Sequence, residues 1–233
     1  MFYPLWLLCP SEHDQRLRTV YLESIDKALS THNLFLTGKT STSMILNYCY
    51  NSAARNCSSV WFMPQTHLSS NPPKLSPNFD RFILKKIGFK YYTSSQTITD
   101  YLNNIHLLQD HELPGLLVID SFENCCRGSS STLFNYSRVI ALGIDAADHV
   151  TSRLRKLDEN DAGCLLIVID RSEGESLSVA AGKRMIKVQG EVRSAGADLE
   201  SFVLTFGSGT VEETVKIVFE KASLGVVNFE FPT

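Results

Sequence analysis

Residues 34–42 of the chain read LFLTGKTST, and this stretch decides the fold. Its first four residues are apolar and β-prone, which predicts a buried strand, and the tripeptide that follows at once is Gly38, Lys39 and Thr40. An intact phosphate-binding loop, GxxxxGK[ST], curls backbone N–H groups around the β-phosphate. Here Asn33 occupies the position of the first glycine of the motif. Residues 34–37 would therefore have to form both the buried strand and the loop around the phosphate. The stretch predicts a P-loop NTPase architecture with a shortened loop.

Two parts of the chain are predicted to meet at a nucleotide. In an intact site Lys39 and Thr40 would contact the phosphates and Mg²⁺. Asp120 ends the apolar run GLLVID, where P-loop proteins hold Mg²⁺ through water. The alternative is that Thr40 merely caps a helix and Asp120 a loop. The sequence predicts ATP with Mg²⁺, or no cofactor, and the predicted cofactor-binding residues are Gly38, Lys39, Thr40 and Asp120.

A hydrolase also needs a residue that polarises the attacking water. RecA-type enzymes place a Glu after the second strand. In this chain the corresponding segment, MPQTHLSSNPP, carries no carboxylate before Asp80. Gln65 could orient a water molecule, but it could not act as a base. We therefore assign no catalytic residue and expect ATP hydrolysis to be weak or absent.

The order of predicted elements is typical of an α/β fold. Helices are predicted at 40–55, 82–86, 94–108 and 133–157, and strands at 34–37, 58–63, 88–92, 115–120 and 164–170. Residues 171–182 are mostly polar and contain glycine, which indicates a mobile loop. Alternating segments at 185–192, 201–206, 215–219 and 226–231 predict antiparallel strands. Together these patterns predict a RecA-like P-loop NTPase core with a mostly parallel central sheet and a C-terminal antiparallel extension.

Length and composition favour one globular unit. The 233 residues, 43% of them hydrophobic, can bury a single good-sized core. We divide the chain into an N-terminal arm, residues 1–30, and one RecA-like domain, residues 31–233. The apolar start MFYPLWLLCP lacks the basic region of a secretory signal and is predicted to be a packing strand or a docking arm. No apolar run approaches the roughly 20 residues of a membrane-spanning helix, so we expect no membrane partner.

Candidate DNA contacts lie near the predicted central strands. The net charge of −3 means that nucleic acid would have to meet a local basic patch. The bases that could contact single-stranded DNA are Arg153, Arg155, Lys156, Arg171, Lys183, Arg184 and Lys187. The alternative is that they only keep the protein soluble. A second basic and aromatic cluster contains Lys85, Lys86, Lys90, Tyr91 and Tyr92. The stronger interpretation of this cluster is an ordinary solvated face.

Cysteine and histidine spacing predicts no metal site. The six cysteines fit no CxxC pattern, and the six histidines show no HxxxH spacing. Cys125 and Cys126 are adjacent, which is poor geometry for a mutual disulfide. Asp170, at the end of CLLIVID, is either the polar residue that senses the γ-phosphate in RecA-like proteins or a solvated strand end. Reduced thiols indicate a cytosolic or nuclear protein.

Several segments, in their order, resemble a known family. LKKIGFKYYTSSQTITDYLNNIH at 84–106 precedes LPGLLVIDSFENC at 113–125, and the long helix YSRVIALGIDAADHVTSRL at 136–154 precedes GCLLIVID at 163–170. The end, VVNFEFPT, is also similar. This order resembles the small RecA-like subunit of the animal Shu complex, the SWIM-domain-associated proteins. The resemblance covers roughly residues 34–170.

The resemblance implies a role in homologous recombination. Members of the family are recombinase paralogs that pair with a SWIM-domain zinc protein, bind single-stranded DNA and assist recombinase filament assembly. Lys39 and Thr40 match the Lys and Thr of the family's nucleotide loop, and Asp120 matches its metal-side Asp. The chain departs from the family where a full glycine-rich loop is shortened to TGKT. The implied function is a nuclear adaptor subunit with a degenerate nucleotide site; an active ATPase with a compact loop and a purely structural adaptor are the alternatives.

Overall fold

The structure is a computed structural model that describes residues 33–38, 42–54, 58–65, 80–127, 132–159, 161, 163–194, 199–208, 211–220 and 226–230. Side chains are described as far as residue 193, and the later strands as backbone. The predicted N-terminal arm, residues 1–30, lies outside the described residues, as do Lys39 and Thr40.

Strands and helices alternate in the described residues up to Ser194. The strands are β1 (Asn33–Gly38), β2 (Ser58–Pro64), β3 (Ile87–Tyr92), β4 (Pro114–Ile119), β5 (Leu165–Asp170), β6 (Val188–Ser194), β7 (Leu199–Ser208), β8 (Val211–Glu220) and β9 (Val226–Glu230). The helices are α1 (Thr42–Ala54), α2 (Arg81–Leu84), α3 (Ser95–Asn104), α4 (Leu133–Leu157) and α5 (Leu177–Met185). Short 3₁₀ turns occupy Ile105–Leu107, Asp110–Glu112 and Phe122–Asn124.

The strands form one sheet in the order β3-β2-β4-β5-β1-β6-β7-β8-β9. The first six of these strands, from β3 to β6, run parallel to one another. Along the backbone, β6 pairs with β7, β7 with β8 and β8 with β9 in antiparallel register. The parallel strands are joined through helices, which is the connection that parallel pairing requires. The α/β class predicted from the sequence is confirmed.

The central strands β1 and β2 bury both of their faces against helices. Because successive side chains of a strand point to opposite faces, Leu36 packs with α1 on one side and Phe35 packs with α4 and α5 on the other. Trp61 and Phe62 of β2 divide in the same way, and all four side chains are almost fully buried. This burial on two sides explains why the central strands read as continuous apolar runs.

One predicted loop is in fact half helix. The interpretation of residues 171–182 as a mobile loop is wrong from Leu177 onward, where α5 begins. The side chain of Ser176 caps the helix by accepting a hydrogen bond from the N–H of Val179 at 3.1 Å. The buried face of α5 consists largely of small residues, so it gives only a weak apolar signal; these are Ser178, Val179, Ala181 and Gly182.

The long helix was predicted correctly from end to end. α4 spans Leu133–Leu157, the range that its apolar spacing predicts, and Thr132 caps it by accepting a hydrogen bond from the N–H of Asn135. Among the described residues, no helix combines the length and the apolarity needed to cross a membrane.

Candidate functional site

The carboxyl ends of β1, β4 and β5 meet at one edge of the sheet, where open α/β sheets bind their ligands. β1 lies between β5 and β6. Its last residue, Gly38, has a φ of +99°, and a Cβ at this position would lie 2.3 Å from the carbonyl oxygen of Val192. Only glycine fits this turn. Gly38 therefore lies at the strand end where the phosphate loop was predicted, whereas Lys39 and Thr40 lie outside the described residues.

Asp120 directly follows β4 and is fully buried. Its N–H donates to the carbonyl oxygen of Phe62 at 2.9 Å, which continues the β2–β4 pairing. The chain then turns sharply, because Ser121 adopts the left-handed conformation with a φ of 54°. The hydroxyl of Tyr92 lies 2.7 Å from the carbonyl oxygen of Asp120 and 2.8 Å from that of Ser121. This hydroxyl ties β3 to the turn and holds the Asp120 backbone in place.

The carboxylate of Asp120 forms an ion pair with Arg171. Arg171 Nε donates to Asp120 Oδ1 at 2.8 Å, and Arg171 Nη2 donates to Oδ2 at 3.0 Å. The Arg171 side chain is 18% exposed, so the pair is largely shielded from water. Planar bidentate pairing of this kind is the strongest geometry that an arginine and a carboxylate can form. Both oxygens of the predicted metal-side carboxylate are thus bound to a guanidinium group.

Asp170 is the second buried carboxylate at this edge. It ends β5 and pairs in register with Thr37 of β1. Its Oδ1 accepts hydrogen bonds from the N–H of Ser172, at 2.9 Å, and from the Ser172 hydroxyl. Its Oδ2 is buried and has no hydrogen-bond partner among the described residues. The interpretation of Asp170 as a solvated strand end is wrong, because the residue is 0% exposed.

Glu123 is a further carboxylate of the site that was not predicted from the sequence. Its Oε2 accepts a hydrogen bond from the N–H of Arg171 at 2.9 Å, and its Oε1 accepts one from Asn124 Nδ2 at 3.0 Å. Burial raises the pKa of Glu123 above its ordinary value. Its place three residues after Asp120, on the turn that follows a buried strand, is the sequence signal that could have revealed it.

The residues at this edge do not fit a magnesium ion held by Asp120. Mg²⁺ takes carboxylate and water oxygens in a strict octahedral shell. The bidentate contact with Arg171 leaves Asp120 already paired with a cationic group. Within the described residues, no group of three His, Cys, Asp or Glu side chains is placed to hold a metal ion.

The structure divides the predicted DNA-binding residues between two edges of the sheet. Helices that connect parallel strands run back along them, so the last turns of α4 and α5 lie at the amino edge. The residues at those two helix ends are Arg153, Arg155, Lys156, Lys183, Arg184 and Lys187. Arg171 lies at the carboxyl edge, beside Asp120. The seven bases therefore do not form a single groove, and their assignment to DNA stays a prediction.

Arg153 has structural contacts of its own. Its Nη1 donates to the carbonyl oxygens of Leu108, at 2.9 Å, and His106, at 3.4 Å, and its Nη2 pairs with the carboxylate of Asp110. These bonds attach the end of α4 to the 3₁₀ turns before β4. Arg155, Lys156, Lys183, Arg184 and Lys187 have exposed side chains.

The four described cysteines are buried and form no disulfide. Cys125 Sγ and Cys126 Sγ lie 3.5 Å apart, directly after the turn that carries Glu123.

Comparison of the chain with models of known protein families finds no match. Comparison with curated proteins finds no significantly similar sequence.

Proposed function

We propose that this chain is a RecA-like subunit of a Shu-type complex. In this role it pairs with a SWIM-domain zinc protein, binds single-stranded DNA and supports the assembly of a recombinase filament during homologous recombination in the nucleus. Its nucleotide site is degenerate, so it acts as an adaptor through its surfaces. The observation that supports a degenerate nucleotide site is the bidentate pairing of Asp120 with Arg171.

The arrangement of strand ends supports the RecA-like assignment. The strand that precedes GKT lies inside a parallel sheet, and Gly38 ends it with a turn that excludes a side chain. β5 lies between β1 and β4, and buried carboxylates stand at the ends of both β4 and β5. This is the setting in which a P-loop protein would hold phosphate and metal.

The ion pair supports an adaptor over an ATPase. Catalysis of phosphoryl transfer depends on Mg²⁺ neutralising charge on the phosphate oxygens. At this edge a guanidinium group that belongs to the fold neutralises Asp120. Opening the pair to admit a metal ion would break both hydrogen bonds between the largely shielded Arg171 guanidinium and Asp120, which is costly. A subunit with this site would contribute by binding its neighbours and DNA.

Binding to single-stranded DNA tests the proposal directly. We expect a labelled single-stranded oligonucleotide to bind the full chain in complex with its SWIM-domain partner, and to bind more weakly as salt rises from about 50 to about 200 mM. Fluorescence anisotropy measures both affinities, and a duplex of the same sequence serves as the control. The proposal fails if neither the chain alone nor the complex shows salt-sensitive binding to the single strand.

A further inference from the structure

The sheet has an exposed edge at β3, which pairs only with β2 among the described strands. Three large aromatic side chains are exposed there: Phe82 of α2 is 76% exposed, Phe89 of β3 is 41% exposed and Tyr91 of β3 is 49% exposed. Exposed apolar groups that cluster on a protein surface usually mark an interaction site. We call α2 and β3 together, residues 81–92, the aromatic edge.

The aromatic side chains of this edge lie on one side of the sheet. The Phe89 ring rests against Trp61, with ring centroids 5.6 Å apart, on the side that carries α1. Tyr91 lies two residues further along β3, so it points to the same side. α2 packs against the core on this side through its neighbouring apolar residues. The edge therefore offers rings supported by the core beneath them.

Basic side chains lie along the aromatic edge. Residues 81–92 contain four basic and no acidic side chains, with Asp80 directly before them, in a chain whose net charge is −3. Lys85 Nζ lies 5.4 Å from the centroid of the Phe82 ring, and Lys90 Nζ lies 5.0 Å from that of Tyr101 on the opposite side of the sheet. Lys86, which directly follows Lys85 in the chain, is also exposed. The local charge suits a polyanion, although the charge of the whole chain does not.

Aromatic rings beside lysines are the combination that binds unpaired bases and their phosphates. A duplex hides its bases from stacking, so the rings favour a single strand. A protein strand added to this edge is less favoured, because a lysine in the middle of an edge strand opposes such pairing. We propose that the aromatic edge binds single-stranded nucleic acid, with Tyr91 and Phe82 stacking on bases while Lys85, Lys86 and Lys90 contact phosphates. This inference rests on the proposed function and gives its DNA contact a location.

Substitution of the exposed ring tests the stacking contact. In the complex with the SWIM-domain partner, Tyr91→Ala is expected to weaken binding of a labelled oligothymidylate about fivefold or more, because stacking of one base contributes at least that factor. Tyr91→Phe keeps the ring and should bind like the wild type. Phe82→Ala, at an even more exposed position, is a second variant that leaves the core intact. An oligouridylate arm shows whether DNA or RNA is preferred.

Substitution of the lysines tests the phosphate contact against a matched control. Replacing Lys85, Lys86 and Lys90 with glutamine should make the salt dependence of binding shallower, by up to about 0.7 in slope for each lost contact. The control replaces Arg127, Arg138 and Arg193 with glutamine; these are exposed arginines outside the aromatic edge that are not predicted to bind DNA. It removes the same charge and should leave the slope unchanged. Affinity is measured by anisotropy at several salt concentrations.

The outcomes separate this inference from the proposed function. If the wild-type complex binds the oligonucleotide while the Tyr91→Ala and lysine variants bind equally well, the aromatic edge is not the contact and the proposed function stands. Loss of binding only in the arginine control would overturn the inference in the same way. If the Tyr91→Ala variant no longer captures the SWIM-domain partner but still binds DNA like the wild type, the edge is a protein interface and the inference is overturned. A wild-type complex that binds no single strand overturns both proposals.

Discussion

The Arg171→Ala protein is expected to lose about 3–5 kcal/mol of unfolding free energy, because the substitution leaves the buried charge of Asp120 without its partner. Asp120 is 0% exposed, and both of its carboxylate oxygens accept hydrogen bonds from the guanidinium group. The N–H of Arg171 still donates to Glu123 in the variant, so the loss reports on the side chain. Denaturant unfolding of the full chain measures the change.

Two further variants show whether the loss comes from the unpaired charge. The Arg193→Ala variant breaks an exposed pair with Glu191, in which the arginine is 63% exposed, and should change stability by less than about 1 kcal/mol. The Asp120→Leu/Arg171→Met double variant removes both charges and should recover most of the stability that Arg171→Ala loses. A loss below about 1 kcal/mol in Arg171→Ala would contradict the view that the pair neutralises a buried carboxylate.

The Gly182→Ala protein is expected to be less stable by about 2 kcal/mol. A Cβ at this helical position would lie 2.2 Å from Phe35 Cε2 and 2.3 Å from Cζ, far inside contact distance. The Phe35 ring is fully buried between β1 and α5, so it has no room to move aside. Overpacking of a core usually costs about 1–3 kcal/mol of stability, and a clash this close lies near the upper end. Replacing glycine with alanine inside a helix gains only about 1 kcal/mol, so the net effect is a loss. Thermal or denaturant unfolding measures the result.

Matched substitutions test the packing argument. Gly88→Ala makes the same change where the added Cβ would lie 3.7 Å from the carbonyl oxygen of Ser59, an ordinary contact distance, and should alter stability by less than about 0.5 kcal/mol. Adding Phe35→Leu to Gly182→Ala should recover part of the loss, since the two positions are in contact. Equal stability of Gly182→Ala and the wild type would show that α5 packs differently on β1.

The two central strands β4 and β5 could be predicted from the sequence because each is an apolar run closed by a carboxylate. GLLVID and CLLIVID are buried on both faces, and in both cases the closing carboxylate is fully buried. The partner of Asp120 could not be predicted in this way. Arg171 lies 51 residues further along the chain, and the two meet only because β4 and β5 are neighbours in the sheet. Strand order, which local patterns do not specify, creates the ion pair.

The helix α5 was missed for a different reason. Its buried residues include Ser178, Ala181 and Gly182, whose side chains give little apolar periodicity. Small residues are required there because the helix approaches the Phe35 ring closely. The basic residues at the ends of α4 and α5 lie outside the core, and the topology separates them from Arg171.

The aromatic edge shows how three-dimensional placement can change an interpretation. Tyr91 and Tyr92 are adjacent in sequence, but Tyr92 is 2% exposed and fixes the turn after β4, whereas Tyr91 is 49% exposed. Because side chains alternate between the two faces of β3, the Tyr92 ring is buried and the Tyr91 ring is exposed. The exposure of Phe89, two residues before Tyr91 on β3, was not apparent from composition, and it supports the proposed nucleic-acid contact over a solvated face.

ATP hydrolysis in the presence of Mg²⁺ tests the central claim most directly, since an Asp120 carboxylate held by Arg171 does not fit a metal ion. The rate is measured for the wild-type chain and for Lys39→Ala, each in complex with the SWIM-domain partner and single-stranded DNA. We expect equal rates for the two proteins and no change on addition of Mg²⁺. Mg²⁺-dependent turnover that is lost in Lys39→Ala would contradict it and establish the chain as an active ATPase.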